Sequence, residues 1–175
     1  IRIDRSDSTP SAIAPNWGAS FNNLTSVYPS SSRDGTFVDL RPELRIYQRG
    51  FHPSHSVSLG AAAGISTNHY LSSNYYLGGG ASQLSPSPFV VRGYPTDVLF
   101  GQRVFTSNLA YTLPLSHVYH GLGTNPFFLD DIGLRLMGDA GSANYMALYD
   151  GKTFLGYEYA PLGQRILYGV GADLL

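Results

Sequence analysis

The chain has 175 residues, with 12 acidic and 11 basic side chains and a formal net charge of −1, a balance that gives no basic field for nucleic acid. It has no cysteines, which excludes disulfides and thiolate metal sites. Only 13% of residues are charged, against roughly 25% in an average soluble domain, while glycine reaches 20 and tyrosine 13.

Residues 1–15 read as a linker or loop, dominated by Ser6, Ser8, Thr9, Pro10, Ser11 and Pro15. No initiator Met stands at Ile1 and no charged leader runs into an apolar segment, so the chain reads as the interior or end of a longer protein. Trp17 to Tyr28 alternates loosely, with Trp17, Ala19, Phe21 and Val27 on one face, and Pro29 to Gly35 is a turn cluster. Phe37 to Arg49 alternates clearly. Val38, Leu40, Leu44 and Ile46 share one face, and Asp39, Arg41, Glu43 and Arg45 share the other. Pro42 cannot donate to a ladder, which predicts an edge position or a bulge there.

His55 to Leu71 sets Val57, Leu59, Ala61, Ala63 and Ile65 against Ser56, Ser58, Gly60, Ala62, Gly64 and Ser66, a period of two that no helix explains. Ser72 to Pro88, rich in Ser, Gly, Tyr and Pro, reads as a long loop. Beyond it Gln102 to Ser116 places Phe105, Leu109, Tyr111, Leu113 and Leu115 opposite Thr106, Asn108, Ala110 and Thr112. His117 to Pro126 reads as a turn. Phe127 to Gly141 carries Phe128, Ile132, Leu134 and Leu136 on one face and Asp131, Gly133, Arg135, Met137 and Asp139 on the other. Ser142 to Lys152 reads as a connection, and Thr153 to Pro161 with Arg165 to Leu175 as a final pair of strands.

About seven strands result, each near the roughly 9–11 residues that a tilted membrane strand requires. The longest apolar stretch, Leu59 to Ile65, falls far short of the roughly 18 residues of a spanning helix. A transmembrane barrel hides its hydrophobicity in alternate positions, and a soluble β-sandwich shares the same composition. Tyr28, Tyr47, Tyr70, Tyr75, Tyr76, Tyr119 and Tyr157 lie near segment ends, as interfacial girdles or sandwich rims would have them.

Chemistry-bearing patterns are sparse. His52 and His55, like His117 and His120, are three apart, a spacing that turns strand side chains to opposite faces. Asp130 and Asp131 are adjacent and face opposite ways for the same reason. Nucleophile-elbow, zinc-protease and phosphate-loop patterns do not occur. No residue pattern points to a catalytic residue, a metal or a cofactor.

Phe89-Val90-Val91-Arg92-Gly93-Tyr94-Pro95 stands directly after the Ser/Gly-rich loop. Leu113-Pro114-Leu115, Leu136-Met137-Gly138-Asp139-Ala140-Gly141 and Gly169-Val170-Gly171-Ala172-Asp173 follow in order. Together these segments, covering about half the chain, resemble the C-terminal barrel part of the BamA/TamA-type outer-membrane assembly proteins, the bacterial surface-antigen family. The resemblance implies an all-β fold, an antiparallel transmembrane β-barrel present here as a partial barrel of about seven strands over residues 16–175. A lid loop at about 72–101 would fold inward, with Arg92, Gly93, Tyr94 and Pro95 at its tip. Arg92 would pair in the lumen with Asp139, and Asp131, on the same predicted face as Asp139, would stand in for a second carboxylate that the family pattern has and this chain lacks. Gly93 would allow close backbone approach, and Tyr94 and Pro95 would stiffen the tip.

The sequence departs from the family pattern at two places. The usual glutamate four residues before the proline falls at Ala110, and the chain runs out at Asp173-Leu174-Leu175 without a last strand ending in an aromatic residue. By resemblance the protein would be integral to an outer membrane, in contact with its lipid and with other envelope proteins, and would insert or translocate client barrels. Two alternatives stay open: a barrel that anchors or binds partners in an envelope complex without inserting anything, and a passive pore.

Overall fold

The structure, a computed structural model, describes residues 1–8, 12–29, 36–67, 75–79, 89–95, 98–121, 128–150, 153–159 and 161–175. The expected turn at 30–35, most of the loop expected at 72–88, and Tyr70 lie outside these. The fold is all-β, with no helix among the described residues. Nine strands form one sheet: β1 (Arg2–Asp7), β2 (Trp17–Tyr28), β3 (Phe37–Arg49), β4 (Ser56–Ser66), β5 (Tyr75–Leu77), β6 (Leu99–Gly121), β7 (Phe128–Asp150), β8 (Thr153–Tyr159) and β9 (Leu167–Leu174).

Every strand pairing is antiparallel. The sheet runs β1-β2-β3-β4-β6-β7-β8 and does not close on itself. Two lateral positions are each shared by two strands. β4 pairs with Arg103 to Thr112 of β6, and β5 continues the same edge along Leu99 to Gly101. β9 pairs with Leu134 to Gly141 of β7, and β8 with Tyr145 to Asp150. The two final strands were expected to pair with each other. Instead they lie end to end against β7, because the chain leaves the edge after Tyr159 and rejoins it, in the same direction, at Leu167.

Other departures have local causes. Arg2–Asp7 lies in the expected linker yet adds to β2, with Ile3 opposite Phe21 and Arg5 opposite Ala19. The otherwise unpaired edge of β2 supplies the backbone partners that this short, charged segment does not advertise. β7 runs through the expected connection to Asp150. Ser142 and Ala143 there are buried, their small side chains packed rather than looped. Pro42 sits at neither an edge nor a bulge. β3 is flanked by β2 and β4, and the register with β4 is the same at Leu40↔Ile65 as at Glu43↔Ala62. The proline is accommodated by a gap: Arg41 and Pro42 have no ladder partner on β4, while the β2 side pairs through both.

The two faces of the sheet differ in an unusual direction. One carries Phe21, Leu44, Ile46, Leu59, Ile65, Leu109, Leu136 and Val170, all exposed. The other carries Asp39, Ser56, Thr106, Thr112 and Asp139, all buried. Along β6 the contrast is sharp, with Thr106 1% and Leu109 53% exposed. The cover over the polar face comes from the chain itself. Leu77, Phe89 and Val91 pack with Tyr75 onto Ala62, Val104 and Ala143, with Tyr94 partly buried beside them. Tyr75, one of the tyrosines expected at a segment end, is therefore a core residue. At the other end of the same face Pro15 accepts a hydrogen bond from Ser56 Oγ, and Asn16 Nδ2 donates to the Pro53 carbonyl at 2.7 Å.

The core thus lies between a loop and a sheet. Leu77→Ala is expected to lower the unfolding free energy by about 2–5 kcal/mol, whereas Leu109→Ala on the opposite face should change it by within about 0.5 kcal/mol. Urea titration followed by tryptophan fluorescence reads both. Equal effects at the two positions would contradict this placement of the core.

Candidate functional site

Glycines on the covered face clear the ground on which the loop rests. A side chain at Gly64 would strike the Tyr75 ring, and one at Gly141 would strike Val91 and Leu77. At Gly169 a Cβ would lie 2.1 Å from the Arg92 carbonyl oxygen, a backbone atom that cannot swing aside. The two arms of the loop hold each other. Gly78 and Val90 form a parallel bridge, Val91 N–H donates to the Gly78 carbonyl at 3.3 Å, and Gly79 N–H donates to the Pro95 carbonyl at 3.2 Å. Gly79 has no room for a side chain between Val91 and Tyr94.

The tip turns at Gly93, whose φ of +89° lies where L side chains are rare. Nothing stands within 4 Å of a Cβ there, so close approach, the expected reason for this glycine, applies to Gly79 and Gly169 instead. That turn brings Arg92 over Asp139. Arg92 Nη1 donates to Oδ1 and Oδ2 of Asp139 at 2.8 Å each, and the Arg92 main-chain N–H donates to Oδ2 at 3.1 Å. Asn108 Nδ2 reaches Oδ1 from β6 at 2.8 Å and also lies 3.4 Å from the Val90 carbonyl oxygen. Each carboxylate oxygen therefore accepts two hydrogen bonds. The Asp139 side chain is 1% exposed and that of Arg92 43%, so the carboxylate needs all three donor groups to offset its lost hydration.

No family profile, curated protein or solved structure matches the chain.

The residues singled out from the sequence separate in space. Arg92 and Asp139 meet, while Asp131 lies eight residues along the same strand, about 26 Å at the rise of an extended chain. It is opposite His117 on β6 and out of reach of Arg92. Tyr94 lies against the core and Pro95 supplies a carbonyl to the loop bridge. Ala110 stands two residues beyond Asn108 on the covered face, opposite Met137. His52 and His55 have ring centroids 5.5 Å apart and are each tied to a hydroxyl, His52 Nδ1 to Ser54 and His55 Nδ1 to Tyr111. No group of metal-ligating side chains occurs among the described residues.

Asn108 and Asn144 were not legible as site residues. Asn108 was one polar member of an alternating strand. Asn144 occupies a bulge in which Gly101 to Arg103 of β6 stand opposite it alone, between the pairs Phe100↔Tyr145 and Val104↔Ala143. Its Oδ1 accepts the Arg103 N–H at 3.2 Å and fills the space over Gly101, so it replaces a missing ladder bond.

Asp139→Asn should cost about 2 kcal/mol, toward the low end for breaking a buried pair because Arg92 is half exposed. Gly169→Ala should cost about 1–3 kcal/mol through overpacking. Both act by lifting one loop, so the double variant should lose clearly less than the sum. Additive losses in a denaturation cycle would show that Gly169 and Asp139 hold different parts of the molecule.

Proposed function

We propose that the chain is part of a transmembrane β-barrel of the outer-membrane assembly type, serving insertion or translocation of other envelope proteins. The observation that carries the membrane reading is the reversed polarity of the sheet. Aliphatic and aromatic side chains crowd the uncovered face, and charges and hydroxyls lie under the loop. In water a contiguous apolar face of this kind is a liability, and a soluble sandwich removes it with a second sheet. Among the described residues no second layer covers that face. Lipid would cover it at no such cost, and a barrel with an apolar outside and a polar inside is the arrangement that lipid selects. Strands β2, β3 and β4, with 12, 13 and 11 residues, are long enough to cross.

The assembly role rests on the resemblance of the Arg92-Gly93-Tyr94-Pro95 segment and its downstream motifs, and the docked loop supports it. Latched by Asp139, the loop would occupy the lumen and brace the wall opposite a weak seam. Catalysis then needs no covalent chemistry. A locally thinned bilayer and an openable edge do the work.

Heat-modifiability of the full-length protein from membranes tests this reading. The unboiled wild type should migrate as a compact, fast band, and Arg92→Glu, which sets two carboxylates against each other, should weaken that band. Recovery of the wild type in the soluble fraction, with no shift on boiling, would leave a soluble β-sandwich instead.

A further inference from the structure

A cavity of about 400 Å³ lies beneath the docked loop, between Val90 and Arg92, the segment at Ala14 and Pro15, and the covered face of β3, β4, β6 and β7. That volume is in the range of small-molecule sites. Three guanidinium groups line it, from Arg45, Arg92 and Arg135, and no carboxylate does so among the described residues. Two of the three charges are already matched. Arg92 is held by Asp139, and Arg45 by Glu43 at 2.7 Å. Beyond its main-chain pairing in the sheet, the Arg135 side chain makes no ion pair or hydrogen bond with any described residue, although the residue is partly buried. Asp173 stands across from it on β9, exposed, and forms no ion pair with it.

We propose that this cavity binds a small soluble oxyanion of the phosphate type, seated on Arg135 and within the field of Arg45 and Arg92. A planar guanidinium presents paired N–H donors that match two oxygens of such a group, and a partly desolvated cation without a partner is where an anion gains most. The hydroxyls of Ser58 and Thr112 on the cavity wall supply further donors. A lipid headgroup is the poorer occupant, because the cavity opens on the face opposite the apolar one. The volume exceeds that of a bare phosphate and leaves room for a small organic group attached to it.

Isothermal titration of the full chain with inorganic phosphate, at neutral pH and low salt, tests it. The wild type should show saturable binding at one site. Arg135→Gln should weaken that binding by about tenfold or more, as loss of a charged hydrogen-bonding partner does. Ala110→Glu, which places a carboxylate on the wall of the same cavity, should abolish it. Arg2→Gln, on the far edge strand, should leave it unchanged. Unsaturable heats in the wild type, or equal affinities in wild type and Arg135→Gln, would overturn the proposal, as would equally effective competition by chloride.

Discussion

A carboxylate with 1% of its side chain exposed is costly to bury on one strand unless neighbouring elements bring it donors. Asp139 collects them from three places: the Arg92 side chain, the Arg92 main chain and the Asn108 amide of the adjacent strand. Its two oxygens therefore tie the loop to β6 and β7 together. The core forms as a consequence. Leu77, Phe89 and Val91 reach Ala62, Val104 and Ala143 only while the loop lies flat on the sheet. The polar pair sets the register of the loop, and the apolar contacts beside it supply most of the adhesion.

Absence of side chains matters as much as their presence. The loop can approach because Gly64, Gly141 and Gly169 leave a trough in the covered face, each at a point where a Cβ would meet Tyr75, Val91 or the Arg92 backbone. The high glycine content of the chain is thus partly a record of where one segment rests on another. It also explains why the covered face looks bland in sequence, with small residues alternating against aliphatics.

Alternation made β3 legible to the residue and the start of β4 to within one, because one face of each is consistently apolar, although β4 ends at Ser66 and the expected strand ran on to Leu71. It failed for β1, whose six residues mix charges and take their order from the edge of β2. It also failed at the distal halves of β6 and β7. There the expected turn at His117 and the expected connection at Ser142 are strand, since pairing between two long partners overrides weak local preference. The expected pairing of Arg92 with Asp139 came from motif order rather than from periodicity. Asp131 shares a predicted face with Asp139 because a strand face repeats every second residue, and periodicity alone carries no information about distance along the strand. Asn108 and Asn144 were invisible because an amide's role depends on what lies opposite it.

The sharing of lateral positions by β4 with β5 and by β8 with β9 leaves seven positions across the sheet. Seven is odd, so in an antiparallel order the two outermost strands point the same way. Joining those edges directly would make a parallel seam, and repeating the sheet around one common axis would reproduce that mismatch at every junction. An antiparallel ring containing this sheet therefore takes up the remaining arc with an odd number of additional strands.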